Sequence, residues 1–90
     1  MLSDQARKAL YELGLTAYEV KVYETLISHG YLTANELSQI SKIPYTKVYE
    51  VLTSLFKKGF IKIEKARPAK YYPIEPKMFL IILKKKMRKN

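Results

Sequence analysis

Between Leu2 and Leu55 the apolar residues recur at helical spacing, and beyond Gly59 they switch to alternation. Leu2, Ala6, Leu10 and Leu13 share one helical face. Ser3 stands where an N-cap belongs, Asp4 lies at the positive end of the helix, and Gly14 lies where a left-handed residue ends it. Thr16 followed by Glu19 is a capping box. It opens a second helix with an inner stripe of Tyr18 or Val20, then Val22, Tyr23, Leu26 and Ile27; His29 falls in its last turn and Gly30 closes it. Tyr31 and Leu32 make a short extended link. A second capping box, Thr33 with Glu36, starts a short third helix that points Leu37 and Ile40 inward. Ser41-Lys42-Ile43 is the turn. Pro44 suits the first position of a fourth helix, where a missing N–H costs nothing. Val48, Val51, Leu52 and Leu55 give that helix its buried face, and Gly59 ends it.

Phe60, Ile61 and Ile63, with Lys62 and Glu64 interleaved, predict a strand. Ala66-Arg67-Pro68-Ala69 is a turn, and residues 70–74 form the returning strand. Pro76 begins a last helix through Met78, Phe79, Ile82 and Leu83 into a basic tail at residues 84–89. The order is four helices, a β-hairpin and a helix. A short helix, a tight turn and a longer helix followed by a basic hairpin form the winged helix-turn-helix pattern. The predicted fold class is therefore α+β, mainly α: one domain over residues 1–90, with a winged-helix core at 14–74 and a C-terminal helix and basic tail at 76–90.

Ninety residues suffice for one core. The apolar share of 48% and charged share of 28% are those of a globular chain. The absence of cysteine excludes a disulfide framework and thiolate metal sites. The longest apolar run, residues 78–83, is too short to span a bilayer, and the N-terminus lacks a signal-peptide pattern, so a soluble cytoplasmic protein is expected. One histidine, no nucleophile elbow, no phosphate-binding glycine loop and no ligand cluster argue against an enzyme, a cofactor or a metal site. The net charge of +9 is unevenly placed. Residues 1–41 carry three cations against five anions, a net −2; residues 42–90 carry fourteen against three, a net +11. A polyanion partner on one side of the molecule accounts for that split, although a lysine-rich solvated surface would also produce it.

From residue 13 to residue 72 the chain resembles the N-terminal domain of the TrmB family, mainly archaeal regulators, many of them sugar-responsive. The resemblance is carried by Leu13-Gly14-Leu15-Thr16-Ala17-Tyr18-Glu19 with Val22-Tyr23, by Thr33-Ala34-Asn35-Glu36-Leu37, and by Ile43-Pro44-Tyr45-Thr46-Lys47-Val48-Tyr49-Glu50-Val51-Leu52. It continues in Leu55-Phe56-Lys57-Lys58-Gly59-Phe60-Ile61 and in Arg67-Pro68-Ala69-Lys70-Tyr71-Tyr72. It implies a DNA-binding transcriptional regulator. Members of the family carry a C-terminal effector domain after this one; here one further helix follows, so sugar sensing and any small-molecule effector are not carried over.

In a helix-turn-helix the second helix enters the major groove with its N-terminal residues on base edges. With Val48, Val51, Leu52 and Leu55 inward, Tyr45, Thr46, Lys47, Tyr49 and Glu50 are the outward positions. Lys47 suits guanine O6 and N7 or a phosphate. Thr46 suits a phosphate or a thymine methyl, and Tyr45 and Tyr49 offer rings and hydroxyls. Tyr49 fits a half-buried place under the wing as well as DNA, and Glu50 fits a surface salt bridge as well as a cytosine amino group. Lys42 is placed for a phosphate. Arg67 and Lys70 on the hairpin suit a minor groove or its phosphates. Thr33 and Asn35 cap a helix whose N–H groups can also face a phosphate.

The last helix opens apolar around its whole circumference, whereas a surface helix needs one stripe. A two-fold homodimer through the first and last helices is expected, with recognition helices about 34–36 Å apart; packing across the chain's own domain is the alternative. The basic tail suits phosphates, a solvated helix end or a membrane surface, the solvated end being the default. Two rival functions remain: non-specific, chromatin-like DNA binding, and a winged-helix adaptor that binds protein.

Overall fold

The computed structural model describes residues 2–87. The elements are α1 (Asp4–Glu12), α2 (Ala17–His29), α3 (Ala34–Ser41), α4 (Tyr45–Lys57), β1 (Ile61–Glu64), β2 (Lys70–Pro73) and α5 (Lys77–Met87). Their order is the expected one, and mainly helical. Both capping boxes close: Glu19 N–H donates to Thr16 Oγ1 at 3.2 Å while Thr16 N–H donates to Glu19 Oε1 at 2.7 Å, and Thr33 and Glu36 repeat the exchange. Ser3 Oγ accepts from Ala6 N–H and starts α1. Gly14, Gly30 and Gly59 all take positive φ, the conformation in which a Cβ would be strained.

α2, α3 and α4 pack on one another, β2 lies on α2 and β1 on α4. Their contact surfaces form one core in which Tyr23, Leu26, Leu37, Val48, Leu52 and Leu55 are fully enclosed. The hairpin is antiparallel with Ile61 opposite Pro73 and Ile63 opposite Tyr71. The α2–α3 link joins it as a third, one-residue strand: Leu32 N–H donates to the Tyr71 carbonyl at 3.2 Å and Tyr71 N–H returns to the Leu32 carbonyl at 2.9 Å. α1 and α5 pack together on the far side, where α5 inserts Phe79 against Tyr23 and Phe60. Tyr23 donates its hydroxyl to the Ile74 carbonyl at 2.5 Å; burial, then the nearby Glu75 charge, raise its pKa well above the ordinary tyrosine range.

Two expectations shift, at Ile40 and Pro44. Of the two residues left open on α2, Val20 turns inward. Ile40 is exposed: at 100° per residue the inner face of α3 is drawn by Ala34, Leu37 and Ser41, which leaves Ile40 at its flank. Pro44 is the N-cap of α4 rather than its first residue, with extended backbone (ψ 139°) and its carbonyl accepting from the Lys47 and Val48 N–H groups. Ile63 lies on the inner side of the hairpin yet is 39% exposed, because the strand runs past the edge of the core there. No helix among the described residues is long and apolar enough to cross a membrane.

One ion pair ties the start of α2 to the end of α4. Lys58 Nζ donates to Glu19 Oε1 at 2.6 Å and to the Gly14 carbonyl at 2.9 Å. Burial alone would push the Glu19 carboxyl up, but hydrogen bonds from Lys58, Ser54 and the Thr16 N–H more than offset it, and its pKa falls below the ordinary 4.5. A depressed carboxylate stabilises the fold above its unfolded pKa, and that contribution is lost as pH falls through the folded value. Lys58→Met leaves the carboxylate buried without its cation. Because Lys58 is itself a third exposed, the cost is about 1–3 kcal/mol rather than that of a fully buried pair. Urea melts of the two proteins check this. The gap between them is expected to be widest at neutral pH and to narrow as pH falls through the depressed wild-type pKa of Glu19, where the carboxyl takes up its proton in both proteins.

Candidate nucleic-acid interface

The turn between α3 and α4 is held from inside. Ile43 is buried, its carbonyl accepts from Ser38 Oγ at 2.7 Å, and the Ser41 hydroxyl bonds back to the Leu37 carbonyl. Lys42 caps α3 in the left-handed conformation (φ 62°), with its side chain exposed. Pro44 then launches α4. Val48 fills the core, which leaves Tyr45, Thr46, Lys47, Tyr49 and Glu50 on the solvent side, as the pattern requires. Tyr49 is 47% exposed and faces the wing residues Pro68, Ala69 and Tyr71 across a cleft.

Tyr45 and Tyr49, one turn apart, meet edge to face at 5.3 Å with their hydroxyls 2.9 Å apart. That hydrogen bond raises the Tyr45 pKa above the ordinary tyrosine value. The pair forms one wall of a cleft of about 390 Å³. The opposite walls are Thr33, Ala34 and Asn35 at the start of α3, and Pro68, Ala69 and Tyr71 of the wing. The Arg67–Pro68 peptide at the wing tip is cis, and Arg67 is exposed. Among the described residues Lys42, Lys47 and Arg67 pair with no carboxylate, and Glu50 lines a neighbouring groove with Tyr49, Thr53, Ser54 and Lys57.

Lys70 lies elsewhere. Strand alternation sends Tyr71 toward the cleft and Lys70 and Tyr72 to the outer face of the wing. There Tyr72 stacks on Tyr31 at 5.3 Å and 30°, Lys70 Nζ sits 5.3 Å from the Tyr31 ring and Lys62 Nζ 5.5 Å from the Tyr72 ring. Tyr72 also donates to Glu64 at 3.0 Å, a bond that raises its pKa. The structure thus joins Tyr45, Tyr49 and the wing tip, with Thr33 and Asn35, in one cleft, and sets Lys70 apart. The sequence reading missed Tyr31, Lys62 and Tyr72. Period-2 alternation would have paired Lys70 with Tyr72 on one face, but nothing local to Tyr31 brings it to a strand some forty residues later in the chain.

A helix-turn-helix with an exposed second helix, unpaired cations on the turn, helix and hairpin tip, and a hairpin folded beside that helix defines the class of winged helix-turn-helix domains. The family described as sugar-specific transcriptional regulator TrmB matches residues 10–77, and the chain belongs to the TrmB family. The HTH-type sugar sensing transcriptional regulator TrmBL1 of Pyrococcus furiosus is 39% identical over 80 residues, 89% of this chain and 24% of the relative. The DNA-binding HTH-type transcriptional repressor TrmBL2 of Thermococcus kodakarensis is 37% identical over 81 residues, 89% of this chain and 31% of the relative. The solved structure of TrmBL2, an archaeal chromatin protein with a novel mode of DNA binding, superposes with a TM-score of 0.73 at 32% identity, covering 91% of this chain and 32% of that one. A MarR mutant from E. coli complexed with operator DNA shares the fold at a TM-score of 0.68 and 18% identity, covering 90% of this chain and 59% of that one. This chain spans about a quarter to a third of the length of the curated relatives.

Proposed function

We propose that this chain is a sequence-specific double-stranded-DNA-binding domain of a transcriptional regulator. α4 enters the major groove with Tyr45, Thr46, Lys47 and Tyr49 toward the bases, Lys42 holds a phosphate, and the wing reaches the backbone or minor groove through Arg67, with Lys70 on its outer face adding positive charge. The observation that carries this reading is the convergence of the α4 start, the α3 start and the wing tip on one cleft. Family membership, and the DNA-binding roles in the names of its relatives, support it. A second reading has its own support. The first turns of α4 set Lys47 against Glu50, so the reading surface is close to neutral, and the similar TrmBL2 is a chromatin protein. Selection from random duplex DNA separates the two: enrichment of a defined motif is expected, and retention without enrichment means non-specific binding. A chain that retains no duplex at low salt is an adaptor instead.

The homodimer belongs to the same proposal. α5 buries Phe79 and half-buries Ile82 and Leu83 in its own domain, so the intramolecular packing accounts for one stripe. Met78 and Ile81 on α5, and Tyr11 on α1, remain about half exposed. A second copy covering these residues leaves the two α4 helices free to enter successive major grooves. Sedimentation at micromolar concentration is expected to show a dimer that Ile81→Glu dissociates; a wild-type monomer removes this part of the proposal.

A further inference from the structure

We propose that Tyr31 is a positioning residue for the wing: stacked on Tyr72, it sets the angle at which the hairpin tip meets α4. The inference rests on the wing contact with DNA proposed above. Three observations carry it. The hairpin is short, four residues per strand, and two-stranded, and such a ribbon has little stability of its own. Toward its tip it loses the core, since both strands of the tip half, beyond Ile61 and Tyr71, are exposed or half-buried. It is nevertheless clamped from two sides at one level. Inside, the Leu32–Tyr71 bridge ties β2 to the α2–α3 link; outside, Tyr31 stacks on Tyr72.

Lys62 and Lys70 extend the outer stack at both ends, each ammonium about 5.5 Å or less from a ring centroid, within the range where the ring quadrupole attracts a cation. Each ring thus carries a partner ring and an ammonium group, which makes the face a brace rather than an open platform for stacking bases. The link that bears Tyr31 leads directly into Thr33, the cap of α3. Tyr31 therefore connects the wing to the same element that lines the cleft opposite Tyr45 and Tyr49. Movement of the ring would change the reach of Arg67 without disturbing the helical core.

The test uses Tyr31→Ala, Tyr31→Phe, Arg67→Ala and the Tyr31→Ala/Arg67→Ala double variant in the full chain. Hydrogen exchange in the free protein reads the brace directly. Tyr31→Ala is expected to speed exchange of the Leu32 and Tyr71 amides about tenfold or more while α2 amides keep their protection; Tyr31→Phe keeps the wild-type rates. Binding to a mixed-sequence duplex across a salt series reads the consequence. Tyr31→Ala is expected to weaken binding about tenfold and to lower the salt slope by about one, as Arg67→Ala does, with no further loss in the double variant. Independent, additive losses, unchanged amide exchange, or a Tyr31→Phe variant as weak as Tyr31→Ala overturns the positioning role. If Arg67→Ala alone leaves affinity and slope intact, the wing contact is what fails, and the exchange result decides the brace by itself.

Discussion

Phe79→Ala is expected to cost about 3–5 kcal/mol of stability, the range for emptying a buried aromatic site. The ring is 2% exposed and meets Tyr23 edge to face at 6.2 Å and Phe60 at 6.4 Å. Tyr23 and Phe60 also meet each other at 5.4 Å, so the three rings form one cluster. Edge-to-face pairs add about 0.5–1.5 kcal/mol to the burial of area, and two of the three pairs vanish with Phe79. A chain of this length has roughly 5–13 kcal/mol in hand, so the substitution removes a large fraction. The melting temperature is expected to fall by roughly 12–40 °C, at about 4–8 °C per kcal/mol. Phe79→Leu, which keeps most of the volume, is expected to lose far less. Thermal melts followed by circular dichroism check both. A near-wild-type melt for Phe79→Ala would mean that α5 is an appendage that the core does not need.

DNA affinity is expected to fall roughly 10³-fold between 50 and 200 mM salt, corresponding to release of counterions from about six phosphates. The charge for those contacts is not mainly on the reading helix, where Glu50 offsets Lys47 in net charge, but around it: Lys42 in the turn, Lys65 and Arg67 at the wing tip, and Lys62 and Lys70 adding to the field from the wing's outer face. Lys42→Ala and Arg67→Ala are each expected to lower the slope of log affinity against log salt by about one, uniformly across sequences. Substitutions at Tyr45 and Tyr49 are expected to leave the slope in place and to change sequence preference, since neither carries charge. Anisotropy titrations on a selected and a mixed-sequence duplex separate these outcomes. A salt-independent affinity removes the electrostatic part of the proposal.

Much of the interface follows from local signals. The two capping boxes fix the starts of α2 and α3; the stripe of Val48, Val51, Leu52 and Leu55 sets the register of α4, and that register puts Tyr45, Thr46, Lys47 and Tyr49 outside. These are interactions between residues three or four apart, so the sequence carries them whole. The errors came where an element is short or peripheral. α3 has eight residues, and with so few turns Leu37 and Ser41 outweighed the apolar character of Ile40. α5 looked apolar all round; the fold spends Phe79, Ile82 and Leu83 on its own core and leaves Met78 and Ile81 outside.

By itself the sequence determined the order of the elements, the buried face of each long helix and the basic character of everything after residue 41, because caps, periodicity and charge are local properties. Tertiary structure alone decided which distant residues meet. It brought Lys58 to Glu19, Phe79 to Tyr23, Tyr31 to Tyr72 and Tyr71 to the cleft beside Tyr49. Each of these contacts joins side chains that no helical or strand period relates. They exist because packing the hairpin against α2 and α4 leaves one arrangement in which the buried groups find partners.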